Sequence, residues 1–133
     1  MEKEIKILNT KKTVDCPELI NCIINYMEII NGMATVSHIC HLFNITPRTL
    51  ERHFRITIGI SPKALLHIFR ITHAVRLLTE NHDCDLTGIS YESGYYDQSH
   101  FIRDIKEITG ITPGQMQNLS ASGLMSQKYN FKI

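Results

Sequence analysis

The chain repeats itself at an offset of 51 residues: Leu50, Arg52, Phe54, Gly59, Ile60, Ser61 and Pro62 recur as Phe101, Arg103, Ile105, Gly110, Ile111, Thr112 and Pro113. Upstream of each block the match continues at an offset of 50, with Ile39 matching Ile89 and Asn44 matching Gly94, so the second copy carries one extra residue. That residue must lie in a turn, because an insertion inside a helix would rotate its apolar face by about 100°. Two copies of one small helical unit are the expected framework.

The sequence has 133 residues, 43% of them apolar, which suits one continuous core or two small linked ones and leaves no room for a second large domain. The formal charge is only +1, from 14 basic and 13 acidic residues. Its distribution is uneven. From Thr46 to Arg76 there are six basic residues, Arg48, Arg52, Arg55, Lys63, Arg70 and Arg76, against Glu51 alone, whereas Leu77 to Asp97 carries five acids and no Lys or Arg. A local basic face can meet phosphates even when the total is near zero.

No apolar run approaches the roughly 20 residues needed to span a bilayer, and no signal-peptide pattern opens the chain, so a soluble cytoplasmic protein without membrane contact is expected. Cys16, Cys22, Cys40 and Cys84 form no CxxC pair, which predicts buried thiols in a reducing compartment rather than disulfides. Cys40 lies between His38 and His41, but it falls beside Ile39 on the core side of a short helix, and no second ligand pair follows at zinc-site spacing. No metal and no cofactor is expected.

Residues 1 to 16 alternate Lys and Glu around isolated isoleucines and read as a flexible arm or remnant linker. A first helix is predicted from Pro17 to about Ile30, with Leu19, Ile23, Tyr26, Met27 and Ile30 inward, ended by Gly32. Thr35 has the chemistry to cap a short helix from Val36 to Phe43 that buries Val36, Ile39 and Leu42. Asn44 tolerates a left-handed turn, and Thr46-Pro47 offers a cap and a proline at the first helical position. The next helix should reach about Ile56, burying Leu50 and Phe54 while Arg48, Glu51, Arg52 and Arg55 fall elsewhere. Gly59 closes it, and Ser61-Pro62 starts a long helix to about Thr79. That helix is apolar over more than one stripe, as expected of one sandwiched between two packing partners.

The second copy follows an acidic connector, Glu80 to Asp85. Thr87 to Ser93 is predicted as its short helix, with Ile89 inward and Gly94 at the turn. Asp97 should cap the next helix, which continues to about Thr109 with Phe101 and Ile105 inside, and Thr112-Pro113 starts a last helix toward Leu119. The tail, 120 to 133, lacks a strong pattern, although Tyr129 and Phe131 offer local docking groups.

A helix, a tight turn and a second helix with exposed basic and amide side chains fit the major groove, about 12 Å wide. Two such units on one face of B-DNA would address successive turns about 34 Å apart, with parallel recognition helices and a bend in the DNA. The fold class expected is therefore all-α, with about seven helices in two helix-turn-helix subdomains joined by a long shared linker helix. Subdomain one spans 17–60, the linker helix 61–80 and subdomain two 81–119.

The segments FNITPRTLERHFRITIGISP, RITHAVRLL and GYYDQSHFIRDIKEITGITP resemble the DNA-binding domain of AraC/XylS-type transcriptional regulators, over roughly Thr35 to Gln117. The last segment is the most specific, since the glycine, Ser-His-Phe, Arg103, Lys106, Gly110 and Thr-Pro stand together in the family's order. The chain departs from the family at Asn44, where a glycine is usual, at Ser90 for alanine, and at Tyr95 and Ile105 for phenylalanines. Met116 and Gln117 stand where tyrosine and arginine are frequent. The resemblance implies a regulator that binds double-stranded promoter DNA, activating more readily than repressing. RNA polymerase is an implied partner, and so is a sensing or dimerisation domain in a longer parent chain.

By this resemblance Arg48, Glu51 and Arg52 match base-facing positions of the first recognition helix. An arginine there can donate twice to guanine O6 and N7, and a glutamate can accept from cytosine N4. The competing role is a solvated face with an Arg-Glu pair. In the second recognition helix the reading face contains Gln98, Ser99, Ile102 and Arg103: Gln98 suits adenine, Ile102 a thymine methyl, and Arg103 a guanine, a phosphate or a structural ion pair. His100, beside core Phe101, is expected to pack or bond within its unit rather than catalyse. Phosphate positioning is assigned to the helix starts at Thr35, Ser61, Thr87 and Thr112 and to Lys63 and Lys106.

No nucleophile or carboxylate stands at a convincing spacing from His38, His41, His53, His67, His73, His82 or His100, so no catalytic residue is assigned. The alternative function is a helical protein-interaction module without sequence-specific readout, which the low net charge favours.

Overall fold

The computed structural model describes residues 16–81 and 83–123; the arm before Cys16, His82, and Tyr129 and Phe131 of the tail lie outside them. The described residues form seven helices and no strand: α1 (Cys16–Ile29), α2 (Val36–Leu42), α3 (Pro47–Thr57), α4 (Pro62–Glu80), α5 (Leu86–Glu92), α6 (Gln98–Thr109) and α7 (Pro113–Ala121). The all-α class and tandem helix-turn-helix plan expected from the repeat are present. The chain divides into two compact units, residues 1–69 and 70–133, with the division inside α4.

In the first unit α1 and α2 both pack against α3. Ile20, Ile23 and Met27 of α1, Ile39 of α2, and Leu50 and Phe54 of α3 are fully buried, and Cys40, Phe43 and Leu66 complete the core. Three details differ from the expectation. Of Val36, Ile39 and Leu42, only Ile39 is fully buried, and the other two lie half-buried at the margin of the core. Ile20 takes the buried place given to Leu19, which is half-buried with Tyr26; the face is turned slightly because α1 seats one line of residues, at 20, 23 and 27, directly on its neighbours. Cys40 is the buried thiol, but Cys22 is half-buried and Cys84, in the polar connector, is exposed. Burial raises the Cys40 thiol above its ordinary range, which keeps it protonated and unreactive.

The second unit is built on Ile71, Ala74, Val75 and Leu78 of α4, Ile89 of α5, Tyr95, Phe101 and Ile105 around α6, and Met116 of α7. The breadth of apolar surface on α4 thus reflects two packing partners, each served by a different half of the helix. Its first half, with Leu65, Leu66 and Phe69, serves the first core, and its second half serves the other. Met116 has no exposure, so its role is filling the core. Gln117 donates from Nε2 to the carbonyls of Asn81 (3.2 Å) and Cys84 (3.0 Å), and Ser120 Oγ donates to Thr79 O (2.8 Å); α7 is thereby tied to the connector after α4.

No helix among the described residues is long and apolar enough to cross a membrane.

Candidate nucleic-acid interface

Each unit presents a short helix, a left-handed turn and a longer helix, and local chemistry explains every joint in the first. Thr35 Oγ1 accepts from His38 N (3.0 Å) to start α2, and the chain leaves α2 through Asn44 at φ 51°. Asparagine is among the few residues with a side chain that tolerate this region. Thr46 Oγ1 then accepts from Thr49 N (3.2 Å), with Pro47 at the first position of α3. Leu50 and Phe54 anchor the inner side of α3, which leaves Arg48, Glu51 and Arg52 exposed together at spacings of three and four. No hydrogen bond or ion pair joins these three to other described residues, so the expected competing Arg-Glu pair is not formed among them.

In the second unit Gly94, at φ 82°, takes the place of Asn44, and Asp97 caps α6 by accepting from Ser99 N (2.9 Å). Phe101 and Ile105 are buried, and Gln98, Ser99 and Arg103 are exposed on the other side. Ile102 is half-buried against the core, so only part of its side chain faces outward. His100 packs and bonds within its unit although its side chain is 56% exposed, with Nε2 3.4 Å from Asp104 Oδ2 and its ring edge-on to Tyr95 at 5.3 Å. Beneath it the Tyr95 hydroxyl donates to the same Asp104 oxygen (3.0 Å), and Arg70 lies 5.9 Å from the Tyr95 ring centre. Burial and the bond to Asp104 push the Tyr95 phenol well above its ordinary range, so it stays a donor.

The helix starts are not alike. Ser61 Oγ accepts from Ala64 N (3.1 Å), and Thr112 forms a reciprocal cap with Gln115, as the Thr-x-x-Gln spacing signals. Thr87, expected to open the short helix of the second unit, does not cap it. Asp85 does, accepting from Thr87 N (3.3 Å), because α5 begins at Leu86 and an aspartate one residue earlier meets the free N–H groups. A carboxylate at that start opposes a phosphate there. Lys63 and Lys106 are exposed. His38, two residues before Cys40, turns to the Tyr26 hydroxyl (3.3 Å), and the described residues contain no group of three or more His, Cys, Asp or Glu able to hold a metal ion.

The family described as Helix-turn-helix domain matches residues 39–118, and the chain belongs to it. The structure is similar to the C-terminal domain of the two-component response regulator yesN from Fusobacterium nucleatum, at 25% identity and a TM-score of 0.65, covering 78% of this chain and 99% of that one. It is also similar to the C-terminal domain of AraT, a response regulator from Geobacillus stearothermophilus, at 24% identity and a TM-score of 0.68, covering 75% and 84%. A third likeness is to an AraC-type transcriptional regulator from Chromobacterium violaceum, at 21% identity and a TM-score of 0.70, covering 79% and 94%. The fold is thus that of AraC-type DNA-binding domains. No curated protein matches the sequence.

Proposed function

We propose that the protein is an AraC/XylS-type transcriptional regulator that binds double-stranded promoter DNA in a sequence-specific way, with α3 reading one major-groove segment and α6 another. One observation carries the reading: in both units the second helix of the motif buries one side and leaves a polar side exposed, Arg48, Glu51 and Arg52 on α3 and Gln98, Ser99 and Arg103 on α6. These residues are assigned to base edges, with a smaller share for Ile102. Lys63, Lys106 and the helix starts at Thr35, Ser61 and Thr112 are assigned to phosphates. Thr87 is not assigned to a phosphate, because the Asp85 carboxylate occupies that helix start.

Charge divides the work. Arg55 and Lys63 add attraction for the backbone in the first unit, while Asp85, Glu92 and Asp97 make the second unit depend more on base contacts. The binding module spans 17–119, with subdomains 17–60 and 81–119 around the linker helix 61–80, an arm 1–16 and a tail 120–133. Activation through RNA polymerase in the bacterial cytoplasm is the favoured outcome, under a sensing or dimerisation domain of a longer chain. Selection from a randomised duplex pool, repeated across salt concentrations, tests this. A recurring two-part site supports it; binding that tracks salt alone with no recurring site defeats it.

A further inference from the structure

Beyond the residues that would touch DNA, the second unit contains a side-chain bond that its repeat partner lacks. Thr87 Oγ1, on the second position of α5, reaches across the turn and donates to Gln98 Oε1, on the first position of α6, at 3.2 Å. At the corresponding places of the first unit stand Ser37, at an offset of 50, and Pro47, at an offset of 51. Proline has no side-chain acceptor, yet the turn there closes through the same backbone bond, Ile45 N to Cys40 O (3.0 Å) beside Tyr95 N to Ser90 O (3.1 Å). The Thr87–Gln98 bond is therefore not needed to fold a helix-turn-helix of this kind.

We propose that Thr87 is a positioning residue that sets the Gln98 amide for base readout; the inference rests on the DNA-binding function proposed above. A glutamine at an exposed helix start samples many rotamers and two amide orientations, and ordering it at the moment of binding costs affinity. A hydroxyl donating to Oε1 selects the orientation in which Nε2 faces outward, and it leaves a second Oε1 lone pair. Donor and acceptor side by side are what adenine N7 and N6 require. Thr87 itself is held for the task, since its own N–H donates to Asp85 Oδ1 (3.3 Å). Replacing the threonine by an isostere without the hydroxyl should thus loosen recognition at one base pair and leave backbone attraction unchanged.

The test is selection and titration of duplex DNA with the intact chain carrying Thr87→Val, Thr87→Ser, Gln98→Ala, or Thr87→Val with Gln98→Ala. Gln98→Ala is expected to erase the preference at one position of the recurring site. Thr87→Val should lower discrimination there by about three- to tenfold, the range of one neutral hydrogen bond, with unchanged affinity for random DNA and an unchanged melting temperature. Thr87→Ser should restore it, and Thr87→Val should add nothing in the Gln98→Ala background. The inference is overturned if Thr87→Val keeps full discrimination, weakens all DNA alike, or still acts without Gln98, and equally if Gln98→Ala changes no preference. A wild-type protein that selects no recurring site overturns the DNA-reading function as well; a site that depends on Gln98 but not on Thr87 overturns this inference alone.

Discussion

Ile45 and Tyr95 are the same position of two copies of one turn: each backbone N–H donates to the carbonyl five residues earlier, Ile45 to Cys40 at 3.0 Å and Tyr95 to Ser90 at 3.1 Å. The extra residue of the second copy is then Tyr96, which stands between Tyr95 and the Asp97 cap and is 97% exposed. Deleting Tyr96 should leave the second unit with the turn length of the first and cost less than about 1 kcal/mol, as loop deletions at exposed positions do. Thermal unfolding checks this. A loss of several kcal/mol would mean that the turns are not equivalent.

Phe54 and Phe101 have no exposure and hold α3 and α6 to their separate cores. Truncating either to alanine should destabilise its unit by about 3–5 kcal/mol, a large share of what a small domain has. Chemical denaturation of each variant measures the cost, and a near-neutral result would remove the assignment of inner faces.

Arg52→Ala and Gln98→Ala should weaken the preferred site more than random DNA, and each should relax specificity at a different segment. Lys63→Ala should weaken both kinds of DNA similarly. For the arginine and glutamine the expected loss of discrimination is about 1–3 kcal/mol. Equal losses on all DNA for all three variants would refute the division into base and phosphate contacts.

Asp85 caps α5 with a negative charge beside the proposed interface. Asparagine caps as well as aspartate, so Asp85→Asn should leave stability almost unchanged and raise DNA affinity by about two- to fivefold at low salt. The gain should shrink as salt screens the charge. Filter or anisotropy titrations at two ionic strengths decide it.

His73 accepts from Arg76 Nη2 at 2.9 Å through Nδ1, a bond that requires the neutral ring. Burial first, and then the Arg76 charge, lower its pKa below 6.5, against a weaker opposing pull from Glu92. The unfolded chain therefore binds a proton more readily than the folded one, and the contribution of His73 is full above its unfolded pKa and falls as pH drops through it. In paired melting curves at pH 7.5 and 5.5, His73→Gln should lose less stability on acidification than the unaltered chain.

Much of this was legible in one dimension because it depends on neighbours three to five residues apart. The offsets of 51 and 50 located both motifs and the one-residue insertion in the turn of the second. Thr35, Thr46, Asp97 and Thr112 cap where their spacing to the following helices predicts, since capping is a contact between a side chain and an N–H two or three residues on. Leu50, Phe54, Phe101 and Ile105 face inward as helical periodicity requires. The choice between Asp85 and Thr87 was not settled locally, because both are capping types and the start of α5 is fixed by how Leu86 and Ile89 meet the core. Nor did periodicity reveal that Ile102 would be half-buried, that His100 would lie outside over Tyr95, or that Gln117 would turn back to the carbonyls of Asn81 and Cys84. The Gln117 bonds join residues 36 and 33 positions apart, and a side chain's partner at that range is determined only when packing brings the two segments together. His100 and Tyr95 are only five apart, but Tyr95 lies in the turn before the Asp97 cap, so helical periodicity does not relate them.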